Sequence, residues 1–136
     1  MNLEDRLGQI GTPGVPRWEL SGTTTYDIGR LSLTLQHRFI AAGINNPSQI
    51  GPDDPAYTIT NPNSINNNRV PSRYYMNLSA KYDLLQRGSM KLQVFGSVSN
   101  LFDTDPPLAP GLIGYSEPAF FDMIGRTYHG GVRFTY

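Results

Sequence analysis

The side chains able to do proton or nucleophile chemistry are few in this chain, and they are scattered. Its two histidines, His37 and His129, fall in separate alternating segments and on opposite faces of them. Neither has a Ser or Cys nucleophile element beside it, so general-base and nucleophilic catalysis lack a constellation. Five acids, Asp53, Asp54, Asp103, Asp105 and Glu117, lie in loop-like sequence. Carboxylate oxygens suit calcium, but the spacing matches no EF-hand loop, and solvated loop acids are the expectation. Asp103, at the end of a strand-like run, is expected to bond nearby backbone as turn carboxylates do. The chain has no cysteine, which removes disulfides and thiolate-bound zinc. At this level the reading is a protein that is not an enzyme and holds no cofactor or metal.

What recurs instead is a set of cations at alternate positions of strand-like runs: Arg30, Arg38, Arg73, Lys81 and Arg133. A polar face carrying them would attract an anionic solute or pair with acids of another segment. They are no nucleic-acid footprint, because 11 Lys and Arg are balanced by 11 Asp and Glu, and only 16% of the 136 residues are charged. That length suits one domain. No run of about 18 apolar residues exists, so no transmembrane helix is expected. The opening MNLEDRLGQIG has neither a basic start nor an apolar core, and is not a signal peptide.

The elements that must position these cations are strands, because period-two alternation keeps returning while helical periodicity does not. Five long segments are expected, at about residues 17–26, 30–40, 73–84, 90–100 and 125–136. In RYYMNLSAKYDL, Tyr74, Met76, Leu78, Ala80, Tyr82 and Leu84 face away from Arg73, Tyr75, Asn77, Ser79, Lys81 and Asp83. The terminal segment puts Tyr128, Gly130, Val132, Phe134 and Tyr136 on one face, with His129, Gly131, Arg133 and Thr135 on the other. The connections alternate in length. Asp27-Ile28-Gly29 and Leu85 to Ser89 read as tight hairpin turns, whereas Ala41 to Ser72 and Leu101 to Ile124 are long and rich in Pro, Asn or Gly. Such long loops sit poorly in a compact soluble domain, but outer-membrane barrels combine short turns at one end with long loops at the other.

The aromatic residues add a length. Trp18 and Tyr26, Tyr74 and Tyr82, and Tyr128 and Tyr136 are each eight residues apart on the apolar face. At about 3.3 Å per residue that is roughly 26 Å along a strand, or about 20 Å along a membrane normal for a tilt of about 40°. This approximates the separation of the two aromatic girdles of a membrane barrel. The expected fold is therefore all-β, an antiparallel up-and-down meander of about five long strands. It would form the C-terminal part of a transmembrane β-barrel, with long extracellular loops and short periplasmic turns. Low mean hydropathy is no obstacle, since only alternate strand residues meet lipid.

At this point VFGSVSNLFDTDPP, followed by FFDMIGRTYHGGVRFTY, resembles the end of a TonB-dependent outer-membrane receptor. The residues that carry the resemblance are Asn100, Leu101, Phe102 and Asp103, then Gly125 and Arg126. Tyr128, Val132, Phe134 and the terminal Tyr136 complete it. It covers roughly residues 15 to 136, most closely from Val94 onward. Two departures stand out: Tyr136 where Phe is usual, and Gly130 where a larger apolar residue is usual. The resemblance implies that the last strand carries the signal read by the barrel-assembly machinery. It also implies that Arg30, Arg38, Arg73, Lys81 and Arg133 face a lumen, in contact with a substrate or a plug. Arg126 falls on the lipid side by parity, at a rim where its head can reach water.

Members of that family enclose an N-terminal plug in a barrel of about twenty-two strands and carry a short TonB-contacting box. This chain shows neither plug nor box, and five strands leave two unpaired edges that hydrocarbon does not tolerate. The expectation is a C-terminal piece of a larger Gram-negative outer-membrane receptor. The full protein would take up a scarce solute of the siderophore, cobalamin or oligosaccharide class. Its partners would be outer-membrane lipid, the remainder of the barrel and plug, TonB and the assembly machinery. The piece alone is not expected to transport. Loop aromatics Tyr57, Tyr115, Phe120 and Phe121 would contribute to a ligand vestibule. A passive or structural barrel, and a soluble β-rich binding domain, are the alternatives.

Overall fold

Alternation of the kind seen in the sequence needs hydrogen-bonded neighbours before it becomes a sheet, and the chain supplies them in order. Its strands are β1 (Glu19–Ile28), β2 (Leu31–Ile40), β3 (Gly43–Ile44), β4 (Arg69–Val70), β5 (Arg73–Arg87), β6 (Met90–Ser99) and β7 (Thr127–Thr135). The structure is a computed structural model and describes residues 7–10, 15–107 and 120–136. Tyr115 and Glu117 lie outside the described residues. The chain divides into two compact units. One comprises Leu20–Arg38, Tyr74–Thr104 and Ile124–Tyr136; the other comprises Met1–Glu19, Phe39–Arg73 and Asp105–Met123.

The first unit is built on a five-stranded antiparallel sheet in the order β1-β2-β5-β6-β7. Its hairpin turns are Gly29-Arg30 and Gly88-Ser89, shorter than the turns expected from sequence. The glycines sit at φ 57° and 59°, a left-handed conformation that other residues adopt at a cost. One such residue suffices to reverse each chain, so Asp27, Ile28, Gln86 and Arg87 remain in strands.

Between Asp83 and Leu85 the β5–β6 register shifts: Asp83 faces Gln93, but Leu85 faces Leu92. Leu84 is the extra residue of a bulge, and an inserted residue reverses the parity that follows it. The sequence expectation placed Leu84 on the apolar row and Leu85 in a turn. In the structure Leu85 takes the next place on that row, opposite Leu92 and in line with Phe134.

The same registers define two chemically distinct faces. One carries Leu78, Val98 and Tyr128 in a row, then Ala80, Gly96 and Gly130, then Tyr82, Val94 and Val132. The other carries Ser79, Ser97 and His129, then Lys81, Phe95 and Gly131, then Asp83, Gln93 and Arg133. The apolar face is open: Tyr82, Tyr128, Val132 and Phe134 are all exposed, Val132 by 66%. β1 is exposed along its whole length. β1 and β7 are the sheet edges.

The second unit shows that the long Asn- and Pro-rich loop is organised. Within it β3 pairs with β4, Gly43 facing Val70 and Ile44 facing Arg69. The amide of Ile10 donates to Ile44 O at 2.8 Å, and that of Ile44 to Gly8 O at 2.9 Å. Gly43 permits this approach, because a Cβ there would lie 2.3 Å from Gly8 O. Among the described residues, Ile10, Ile40, Ala41, Val70, Pro107 and Phe121 are its buried apolar ones. Asn68, also buried, accepts from Asn46 N at 2.9 Å and donates to Asn46 O and Gln49 O. A side chain satisfied this way takes the place of a ladder in holding a loop.

Candidate functional site

The polar face of the sheet holds an open groove of about 370 Å³, which Ser32 and Thr34 of β2, Ser79 and Lys81 of β5, Gln93, Phe95 and Ser97 of β6, and Arg133 of β7 help to line. These residues belong to alternate positions of four adjacent strands, so strand periodicity alone brings their side chains to one face. A smaller groove of about 240 Å³ takes in Asp27, Arg30, Lys81, Asp83 and Lys91. Of the five expected lumen cations, the grooves gather Arg30, Lys81 and Arg133. Arg73 instead donates from Nε to Asp105 O at 2.8 Å and from Nη1 to Ser72 O at 3.1 Å. Arg38 lines neither groove.

Charge on this face is partly spent within it. Asp83 accepts from Lys91 Nζ at 2.9 Å and from Gln93 Nε2 at 2.6 Å. Arg30 donates to Leu84 O at 3.3 Å. The Arg133 guanidinium stands 5.8 Å from the centre of the Phe95 ring. Phe95 in turn lies against Gly131, where a Cβ would come within 2.7 Å of its Cζ. The glycine is therefore what lets the ring lie close to β7.

Of the residues that carry the family resemblance, Asn100, Leu101, Asp103, Gly125 and Arg126 form a second cluster at the other end of the sheet. Asn100 is fully buried at φ 51°. Its carboxamide accepts from Thr104 N at 2.9 Å and donates to Thr104 O at 3.0 Å, closing a loop over Leu101, Phe102 and Asp103. Its own amide donates to Asn77 Oδ1 at 2.9 Å, and Leu101 N donates to Met76 O at 2.7 Å, tying the loop to β5. The Asp103 carboxylate then accepts the amide of Arg126 at 2.8 Å. The Arg126 guanidinium turns back to Leu101 O at 3.3 Å and Asp103 Oδ2 at 3.5 Å. A Cβ on Gly125 would lie 3.1 Å from Asp103 Oδ1. Two stretches more than twenty residues apart in sequence thus meet as one clasp at the start of β7.

The remaining candidates stay apart. His37 Nδ1 bonds Tyr74 Oη at 2.6 Å, with the two rings stacked, whereas His129 lies on the polar face opposite Ser97. Asp53 pairs with Arg69 Nε at 2.6 Å, and Asp54 accepts the amide of Ala56 at 2.8 Å. Among the described residues no three His, Asp or Glu side chains gather into a metal site. Tyr57 donates to Asn66 Oδ1 at 2.5 Å, and Phe121 is buried. Sequence reasoning passed over Phe95 and Gly131; an aromatic residue on a polar parity was the available signal.

Comparison with protein-family models, with curated proteins and with solved structures found no match to this chain.

Proposed function

We propose that this chain is the C-terminal part of the β-barrel of a TonB-dependent outer-membrane receptor, contributing to uptake of a scarce solute and not transporting alone. The observation that carries this reading is the open apolar face of the five-stranded sheet, where Tyr82, Tyr128, Val132 and Phe134 stand exposed opposite a wet face. Exposed apolar patches of this extent mark a surface that meets another apolar phase. A face one residue deep, alternating with polar positions, is the pattern of a strand wall between lipid and lumen. In this reading β1 and β7 pair with the preceding strands of the same barrel, and the two Gly-centred turns mark the periplasmic end. The row Tyr128, Val132, Phe134 and Tyr136 serves the assembly machinery. The Asn100–Asp103 clasp with Arg126 supports the family reading within the barrel class.

The absence of cysteine makes a direct test simple. An environment-sensitive fluorophore is attached at V132C or at S97C, and each labelled chain is refolded in the presence and in the absence of detergent micelles. The expected result is a blue shift at position 132 and an aqueous spectrum at position 97. A chain that is monomeric without detergent, with both probes aqueous, would establish a soluble β-rich domain instead. The gene sequence upstream separates an energised receptor from a passive barrel: a plug and a TonB box favour the first, further strands alone the second.

A further inference from the structure

The polar face carries an aromatic ring that a merely wet wall does not require. Phe95 is 42% exposed among hydroxyl, amide and cationic side chains. Gly131 directly opposite gives it room, since any Cβ there would meet the ring. On its flanks are two cations. Lys81 faces Phe95 across β5 and β6, and Arg133 lies two residues beyond Gly131 on β7. With strands about 4.8 Å apart and about 6.8 Å between alternate residues, their Cα atoms are roughly 12 Å apart. Each side chain spans about half that gap, so both heads can reach one anion placed over β6.

Neither cation forms an ion pair among the described residues, although Lys81 shares the smaller groove with Asp27 and Asp83. The acid nearest in register, Asp83, already accepts from Lys91 and Gln93, and no acidic residue lines the larger groove. Its volume, about 370 Å³, is within the range of small-ligand pockets and well beyond a bare oxyanion. Ser79 and Ser97 supply hydroxyls that both donate and accept. The negative face of a phenyl ring attracts the partly positive C–H face of a pyranose.

From this arrangement we propose that the groove is a binding site for an anionic sugar, a pyranose bearing a carboxylate or a phosphate. The ring lies on Phe95, the anion lies between Lys81 and Arg133, and the ring hydroxyls meet Ser79, Ser97 and Gln93. The site depends on the polar face alone and stands whether or not the opposite face meets lipid.

The test is an amide chemical-shift titration of the full chain in an amine-oxide detergent, which has no sugar head group. The probes are glucuronate, glucose 6-phosphate, glucose and inorganic phosphate. Saturable shifts centred on Ser79, Gly96 and Ser97 are expected for at least one of the two sugar anions, and the stronger of them identifies the anion. Glucose and inorganic phosphate should each bind about tenfold more weakly or worse. K81Q and R133Q should each weaken the sugar anion by about tenfold, while R87Q, which removes the same charge outside the groove, should not. F95L should reduce the preference for the sugar anion over inorganic phosphate and leave the amide spectrum of a folded sheet. The proposal is overturned if no sugar anion saturates, if inorganic phosphate binds as tightly, or if R87Q weakens binding as much as K81Q.

Discussion

Asn100 shows how much one side chain can organise. It is buried, sits at positive φ and satisfies both backbone groups of Thr104. Replacing it with alanine removes both bonds, leaves the Thr104 groups unpaired and retains the backbone strain. Thr104 is only half-buried, so each lost bond costs about 0.5–1.5 kcal/mol, and alanine suits the left-handed conformation less well than asparagine by roughly 1 kcal/mol. N100A is therefore expected to lower unfolding stability by about 2–4 kcal/mol in a denaturant titration of the detergent-refolded chain. D103N keeps an acceptor for the Arg126 amide and gives up only a half-exposed ion pair, worth about 0–1 kcal/mol. It should fall within about 1 kcal/mol of wild type. Phe95 and Gly131 make a second residue-scale case. G131V forces the ring away and is expected to cost about 1–3 kcal/mol. Truncating the ring as well should recover part of that loss, so a double-mutant cycle with F95A should show coupling above about 0.5 kcal/mol.

At the scale of elements, the hairpins depend on two glycines and the register on one bulge. Gly88 sits at φ 59°, and a Cβ there meets nothing within 4 Å. The penalty for substitution is thus conformational rather than steric crowding. G88V should destabilise the chain by about 1–2 kcal/mol, and G88N by less, because asparagine tolerates the left-handed region. The comparison of the two by thermal unfolding separates backbone strain from loss of space. Leu84 is the element-scale feature that alternation hid. Up to Asp83 the apolar parity read from sequence agrees with the ladder, and beyond it the parity reverses.

At the scale of the whole chain, the two faces of one sheet face different demands. Val132, in line with Tyr82 and Val94, is on the apolar face; Ser97, in line with Ser79 and His129, is on the polar one. If the apolar face meets hydrocarbon, V132R should cost about 2–4 kcal/mol near mid-depth of a bilayer. S97R should cost far less, since its side chain points to water. Folding yield into detergent micelles against urea, measured for both variants, reads the difference. Equal small effects would remove lipid as the occupant of that face.

Much was legible without coordinates. The five long strands, their order along the chain and the parity of most residues follow from period-two alternation, because the pleat sends successive side chains to opposite sides whatever the neighbours are. The position of each turn to within a few residues follows from Gly29 and Gly88, whose missing Cβ makes the reversal easy. That Lys81 and Arg133 share the polar face was readable for the same reason, though not what they meet there. That was decided by register: pairing of Lys81 with Phe95 and Gly131, and of Asp83 with Gln93 and Arg133, is a relation between strands that no single strand encodes. The bulge at Leu84 was invisible, since an extra residue in one strand is defined only against its partner. The order within the Asn-rich loop was also hidden, because it rests on Asn68 reaching residues about twenty positions earlier. Local periodicity settled which way most strand side chains point; only the tertiary structure settled what they meet there and where a bulge reverses them.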